Sequence, residues 1–198
     1  MIERIIIKEV SLVKRFSNIA FVMVLFALTM TVIAVAQEKA AEKPVHKYIG
    51  AAKCKMCHNT PAQGEQFKKW SESKHAKAFE VLASPEALEV GKKLGVEKPQ
   101  ESPKCLGCHV TGFSAPAEAK EATLTSAEGV GCEGCHGPGS DYKAMSIMKS
   151  KEASVAAGLI IPDEKLCKTC HNETSPTYKA FVFADAAKLI AHPIPPKK

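Results

Sequence analysis

The order of apolar and polar positions divides the chain into an N-terminal apolar run and a longer remainder rich in helix signals. The apolar run covers 19–36. In the remainder, capping residues, prolines and glycines mark where helices begin and end. They predict helices over 60–82, 85–94, 140–150 and 181–191, and a short helix that begins at Pro162 and Asp163. Residues 110–131 are small and polar and predict a loop, with a brief extended piece at 122–125. The pattern indicates a mainly α fold with long loops.

The N-terminal apolar run is typical of a signal peptide. Arg4, Lys8, Lys14 and Arg15 precede it, and Ala34-Val35-Ala36 has the small-x-small pattern that signal peptidase cleaves. The alternative is an uncleaved membrane anchor, because 18 apolar residues are just long enough to span a bilayer. We expect residues 1–36 to be cleaved before Gln37 and the mature chain to be exported to the periplasm or beyond the cell. The protein would be membrane-bound only if this segment is retained.

The composition fits one exported domain. The 198 residues are 45% hydrophobic and 24% charged, which permits one domain and little more. Residues 37–47 predict a polar linker, and 48–198 predict the domain. The net charge of +6 falls to +4 once the presequence, with four basic and two acidic residues, is removed. So small an excess is ordinary for a soluble protein and does not indicate a nucleic-acid partner.

All eight cysteines lie in four copies of the motif Cys-x-x-Cys-His. The copies are Cys54-Lys55-Met56-Cys57-His58, Cys105-Leu106-Gly107-Cys108-His109, Cys132-Glu133-Gly134-Cys135-His136 and Cys167-Lys168-Thr169-Cys170-His171. Two residues between the thiols place both sulfurs within one helical turn, where they reach the two vinyl groups on one haem edge. The next residue, histidine, points its imidazole at the iron. We therefore expect four covalent haem c groups, with His58, His109, His136 and His171 as proximal iron ligands.

Three other uses of the cysteines compete with haem attachment. Eight cysteines in an exported chain could form four disulfides, and Cys-x-x-Cys pairs could bind zinc or act as redox couples. None of these needs a histidine after every second cysteine. Four haems leave about 40 residues of mature chain for each, so polypeptide alone cannot supply a large core. We expect the macrocycles to form the core of a compact multihaem cytochrome.

Three stretches of the chain resemble the tetrahaem cytochrome c-554 family, and they occur in that family's order. They are Trp70-Ser71-Glu72-Ser73-Lys74-His75-Ala76-Lys77-Ala78, Cys105-Leu106-Gly107-Cys108-His109-Val110-Thr111-Gly112-Phe113 and Gly129-Val130-Gly131-Cys132-Glu133-Gly134-Cys135-His136-Gly137-Pro138-Gly139. The resemblance extends from Tyr48 to His192. It implies a mainly helical protein that passes electrons between periplasmic partners, as some members do in ammonia oxidation or other nitrogen metabolism.

The resemblance also implies ligands on the distal side of the haems. By the family pattern His75 and His192 are distal ligands, and the haem held by His109 is similar to one that can lack a distal side chain. The chain departs from this pattern after the third motif. The family expects a distal histidine about ten residues after the third motif histidine, and Ser146 stands there, between Met145 and Met148.

A count of histidines leaves one distal position open. Outside the motifs the chain has His46, His75 and His192, whereas four six-coordinate irons need four distal ligands. His46, eight residues before Cys54, is either a ligand or a flexible histidine of the linker, and both alternatives stay open. A methionine sulfur can also ligate haem iron, so we expect Met148, or else Met145, to do so. The alternative is that both methionines only pack in the core.

Three functions are compatible with these motifs. The first is an electron carrier that serves a donor and an acceptor protein, because a haem with histidine on both faces shuttles electrons and binds no substrate. The second is an enzyme that reduces a small molecule such as a nitrogen oxide at a haem with an open distal position. No convergent acid or base is visible beside any motif, so we do not expect an enzyme. The third is a self-associating conducting filament, with His46 ligating a haem of a neighbouring copy.

Overall fold

The computed structural model describes residues 45–193, and these form short helices joined by long loops. In chain order the α-helices of this range are α1 (Ala51–His58), α2 (Gln66–Ser71), α3 (Pro85–Lys93), α4 (Pro103–His109), α5 (Cys132–His136), α6 (Met145–Met148), α7 (Lys151–Ala156), α8 (Glu164–Cys167) and α9 (Phe183–Ile190). The expected mainly α fold with long loops is confirmed. The predicted signal peptide, its cleavage site and residues 37–44 of the predicted linker lie outside the described residues.

The first described residues are bonded to the segment that follows the third motif. The Lys47 N–H donates to Ser140 Oγ at 2.9 Å, and the Ser140 N–H donates to the Lys47 carbonyl at 3.1 Å. Tyr48 then forms a parallel β-bridge with Lys120, and this is the one isolated bridge within 45–193. The last residues of the predicted linker are therefore part of the fold.

The prediction of one helix over 60–82 is wrong. Gly64 (φ 95°) and Glu65 (φ 51°) both adopt left-handed backbone conformations, which an α-helix cannot contain. The chain makes a 3₁₀ turn at Pro61–Gln63, then α2, and then irregular turns up to a second 3₁₀ turn at Glu80–Ala83. His75 lies in these turns, and its carbonyl accepts the Val130 N–H at 2.9 Å. This carbonyl thus accepts an N–H from a residue distant in sequence, whereas in an α-helix it would accept the N–H four residues later.

The predicted helix over 140–150 is also mostly wrong, because only its second half is helical. The buried Tyr142 hydroxyl donates to the Gly137 carbonyl at 2.7 Å and keeps this part of the chain in a turn. Helix α6 is a single turn, and α7 begins separately with Ser150 as its N-cap. The extended piece expected at 122–125 is not a strand; the bridge with Tyr48 is formed by Lys120 instead.

Two helix starts with capping residues, at Ser84 and Asp163, were predicted correctly, whereas Thr60 makes no side-chain cap. The Ser84 hydroxyl accepts the Ala87 N–H at 3.1 Å at the start of α3, and Gly95 follows its end with φ 66°. The Asp163 carboxylate accepts the Leu166 N–H at 2.8 Å at the start of α8. Helix α9 occupies most of the predicted 181–191. A cap fixes a helix end through local hydrogen bonds, which explains why these signals are reliable.

The polypeptide of 45–193 has a small core. One buried cluster contains Leu82, Leu106 and Val110, against which Phe79 and Phe113 pack. Large apolar side chains elsewhere are exposed, including Met56 (78%), Val182 (58%) and Leu189 (88%). Such side chains are available to pack on macrocycles, as the sequence predicts. No helix within the described range is long and apolar enough to cross a membrane.

Candidate haem sites

Each Cys-x-x-Cys-His motif lies at the C-terminal end of a helix. Helices α1, α4 and α5 each contain a complete motif. Helix α8 ends at Cys167, and the His171 N–H donates back to the Cys167 carbonyl at 3.0 Å, so the turn continues through the fourth motif. None of the eight cysteines is in a disulfide. The chain therefore presents four pairs of thiols, each one helical turn wide, with a histidine beside them.

Two of the motif histidines face a histidine from elsewhere in the chain. The ring centroids of His171 and His75 lie 6.0 Å apart, with an interplanar angle of 85°. Those of His136 and His192 also lie 6.0 Å apart, at 80°. Two metal–nitrogen bonds of about 2 Å, plus about 1 Å from each nitrogen to its ring centre, give a separation of about 6 Å. Each pair thus has the spacing of two axial ligands of one iron.

One histidine of each pair, His75 and His136, has its pKa lowered by its surroundings. Burial lowers the pKa of His75, and the nearby His171 lowers it further. Burial likewise lowers the pKa of His136, against the opposing hydrogen bond to the Ile160 carbonyl, and His192 and His58 add to the lowering. A metal binds the neutral imidazole, so these environments hold the side chains in the form that binds iron.

Backbone carbonyls orient three of the imidazoles. The Nδ1 atom of His109 lies 2.6 Å from the Ala78 carbonyl oxygen, that of His136 3.1 Å from Ile160, and that of His192 2.8 Å from Ile190. A carbonyl only accepts, so Nδ1 carries the proton and Nε2 has the free lone pair. Histidines that ligate metals usually have their second nitrogen bonded in this way.

The fourth motif histidine is oriented by an aromatic ring that the sequence did not single out. His171 stacks on Phe181 with centroids 4.8 Å apart and planes 13° apart. Phe181 lies ten residues further along, in the segment before α9. No periodicity or motif distinguishes it from any other loop phenylalanine, so only the structure could reveal the contact.

Contacts between cysteines place the motifs in the order first, third, fourth, second. The Cys54 thiol of the first motif is hydrogen-bonded to Cys132 of the third, which lowers the pKa of Cys54 and raises that of Cys132. Burial raises the pKa of Cys135, and the charges of Cys167 and Cys170 in the fourth motif raise it further. Burial and a hydrogen bond to Cys170 raise the pKa of Cys108, in the second motif, to about 11. The order in space thus differs from the order in sequence.

The remaining predicted ligands make other contacts in the structure. His46 Nδ1 lies 2.5 Å from Asp141 Oδ2, and its ring lies against Gly158. The buried Ser154 hydroxyl contacts the Met148 sulfur at 3.7 Å, and Met145 is 66% exposed. Among the described residues, neither His58 nor His109 has another ring stacked or edge-on to it. Their distal partners stay predictions.

A buried carboxylate that the sequence did not single out joins the first and third motifs. Glu133, between the two cysteines of the third motif, is 2% exposed. It accepts the N–H groups of Ile49 and Gly50, which precede α1, and that of Gly139 at 2.6 Å. A Cβ atom on Gly139 would lie only 2.9 Å from Ile49 Cδ1, so this close approach needs glycine. The glycines around the third motif were the available signal for it.

Helical motif segments, free thiol pairs and histidine pairs at iron-ligand spacing together define a multihaem c-type cytochrome. The sequence model described as "Cytochrome c554 and c-prime" matches residues 53–137. Cytochrome c-554 of Nitrosomonas europaea is 32% identical over 151 residues, which are 73% of this chain and 59% of that protein. The chain thus spans about three fifths of that relative's length. A solved structure of reduced cytochrome c554 from Nitrosomonas europaea is 30% identical, covers 72% of this chain and 77% of its own, and has a TM-score of 0.48.

The residues that match the family model include Trp70–Ala78, Cys105–Phe113 and the third motif. The chain belongs to the cytochrome c-554 family, and its Cys-x-x-Cys-His motifs attach haem c.

Proposed function

We propose that this chain is a four-haem electron carrier that works outside the cytoplasm between a donor and an acceptor protein. The observation that carries the proposal is the pair of histidine contacts at 6.0 Å, His75 with His171 and His136 with His192. An iron with imidazole on both faces has no position for a substrate, but it changes oxidation state readily. The chain's own contribution is to hold these imidazoles oriented and opposite each other.

The proposed proximal ligands are His58, His109, His136 and His171. The two histidine pairs give His171 and His136 their distal partners, which leaves His58 and His109. Tyr142, three residues before α6, lies close enough to Cys54 for that thiolate to raise its pKa, after burial and Glu133. Tyr142 therefore lies near the first and third motifs, and since His58 has no ring partner, we propose Met148, or else Met145, as its distal ligand.

Contacts between motifs support rapid transfer within the protein. Cysteines of the first and third motifs are close enough to shift each other's pKa, as are those of the second and fourth, and the charges of the fourth motif act on Cys135 of the third. The chain thus arranges its four attachment sites in a continuous series. An electron accepted at one end of the series has a short step to each next site.

A reductive titration combined with ligand binding tests the carrier proposal. The holoprotein should take up four electrons and return all four to an oxidant, and two of its haems should not bind carbon monoxide when reduced. Carbon monoxide binding at all four haems would contradict the proposal. A protein that consumes nitrite or nitric oxide catalytically under reducing conditions would favour the reductase alternative, for which His109 without a ring partner is the supporting observation.

Self-association stays the third candidate. The structure supports it less, because His46 is bonded to Asp141 of its own chain. Size-exclusion chromatography and electron microscopy of the holoprotein should show a particle of one copy. Filaments that dissociate in His46→Ala would instead favour assembly through His46.

A further inference from the structure

Two carboxylates meet inside the protein between the first and third haem motifs. Glu133 belongs to the third motif and has both oxygens bonded to backbone N–H groups, four contacts of 2.6–3.0 Å. Each of its oxygens accepts two of these contacts. Glu128 lies nearby, and its charge interacts with that of Glu133. The two side chains are thus an unequal pair, one fully bonded and one not.

Glu128 has an oxygen without a partner. Its Oε2 accepts the Ala51 N–H at 2.9 Å, at the start of α1. Its Oε1 is buried and has no hydrogen-bond partner. Burial raises the pKa of Glu128, the Ala51 N–H opposes this, and the charge of Glu133 raises it again. A buried, half-bonded carboxylate beside a second negative charge is more easily protonated than an exposed one.

The groups that face this pair bring no compensating cation. Glu128 acts on the thiols of Cys54 and Cys132, which become uncharged thioethers once haem is attached. Glu133 faces Tyr48 and Tyr142, and burial followed by the charge of Glu133 raises the pKa of both hydroxyls, which stay neutral. In the described range neither glutamate takes part in an ion pair. The charge near Glu128 that changes on reduction is therefore the charge of the haems held by Cys54 and Cys132.

We propose that Glu128 binds a proton when an electron reaches the first- or third-motif haem, while Glu133 remains the fixed negative charge beside it. One electron from an external donor converts Fe(III) to Fe(II). One proton from solvent forms an O–H bond on the Glu128 carboxylate, and no bond breaks. The added electron and the added proton cancel, so the site's net charge is unchanged. The inference rests on the proposed attachment of haem at these two motifs.

The sign of the pH dependence follows from this exchange. An electron nearby disfavours the ionised carboxylate, so the pKa of Glu128 is higher in the reduced than in the oxidised protein. Between those two pKa values, reduction takes up a proton, and the reduction potential falls as the pH rises. Below this range Glu128 is protonated in both the oxidised and the reduced protein, and above it Glu128 is ionised in both. Outside the range the reduction potential therefore does not change with pH.

Potentiometry of the resolved haems as a function of pH tests the proposal in the holoprotein. In the wild type, the first- or third-motif potential should fall within the range by up to 59 mV per tenfold change in proton concentration. In Glu128→Gln, whose amide oxygen still accepts the Ala51 N–H, the slope should vanish, and the potential should match the wild type's acidic plateau. Glu128→Asp, which still titrates, should keep a slope. Glu89→Gln, on exposed α3, is the matched control and should behave as wild type.

Infrared difference spectroscopy supplies an independent readout. Reduced-minus-oxidised spectra of wild type should show the C=O stretch of a protonated carboxylic acid, shifted by ¹³C-labelled glutamate and absent in Glu128→Gln. The proposal would be overturned if the potential still depended on pH in Glu128→Gln, if the wild-type potential did not depend on pH, or if the infrared band were absent. Chemical mediators deliver the electrons in both experiments, so failure to exchange electrons with a partner protein would contradict the carrier proposal alone.

Discussion

At the scale of single residues, two of the three histidines outside the motifs face a motif histidine, and the third faces an aspartate. His75 and His192 lie opposite motif histidines, each at 6.0 Å between ring centroids. His46 is bonded to a carboxylate and is nearly half exposed. The sequence supplied all three as candidates, but it could not say which motif each one serves.

Replacement of His75 or of His192 should change one haem and leave the others unaffected. In His75→Ala and His192→Ala, one of the four haems should convert from low to high spin while all four stay attached, because thioethers and proximal ligands are untouched. Electron paramagnetic resonance of the oxidised protein would measure this. His46→Ala is the control and should leave the spin states unchanged. An unaltered spectrum in His75→Ala or His192→Ala removes that residue from the ligands.

Met148 is the residue for which the ligand prediction is most specific. A thioether favours Fe(II), so a haem with this ligand should have the highest potential of the four. Met148→His should lower that potential, and Met148→Ala should open the site to added cyanide, as followed by spectropotentiometry and by a cyanide titration. Met145→Ala, one helical turn earlier, is the matched control. A ferric spectrum without a methionine-to-iron charge-transfer band, and unchanged potentials in both alanine variants, would mean that the methionines only pack.

At the scale of elements, helix ends with local caps could be read from the sequence, and the interiors of longer segments could not. The caps at Ser84 and Asp163 need only neighbouring residues. The interruption at Gly64 and Glu65, by contrast, accompanies contacts that are distant in sequence, such as the Trp70 indole N–H to the Val130 carbonyl at 2.9 Å. Residue propensities do not contain such contacts.

The Ser84 cap should contribute measurably to stability. Ser84→Ala removes the acceptor of the Ala87 N–H and should lower the free energy of unfolding by about 1 kcal/mol. Denaturant unfolding of the holoprotein, followed by far-ultraviolet circular dichroism, would measure the loss. Ser114→Ala, in an exposed loop, is the control and should change stability by less than about 0.5 kcal/mol. Equal effects in the two variants would exclude a capping role.

At the scale of the whole molecule, the small polypeptide core and the four motifs belong together. Within 45–193 the buried cluster around Leu82 and Leu106 packs against Cys105 of the second motif. Many apolar side chains elsewhere in this range are exposed. With so small a core of its own, this chain is expected to bury more apolar area by packing on the haems that its motifs attach. Haem content and folding are therefore expected to be inseparable.

Mass spectrometry of protein from a host that attaches haem c should show directly how many haems the chain carries. We expect four haem additions on a chain that begins at Gln37, with all eight cysteines consumed as thioethers. A membrane fraction that retains residues 1–36 would establish the anchor in place of the signal peptide. Intact cysteine bridges or a noncovalently bound metal would contradict the haem count.

The sequence by itself determined the chemistry, because a thioether pair followed by an iron ligand is a local arrangement. Four copies of Cys-x-x-Cys-His specify where haem is attached regardless of the rest of the fold. The tertiary structure decided everything that depends on residues distant in the chain. It brought His75 to His171 and His192 to His136, set the motif order first, third, fourth, second, and placed the buried Glu133 and the half-buried Glu128 between two motifs. These pairings result from packing, which sequence spacing does not encode.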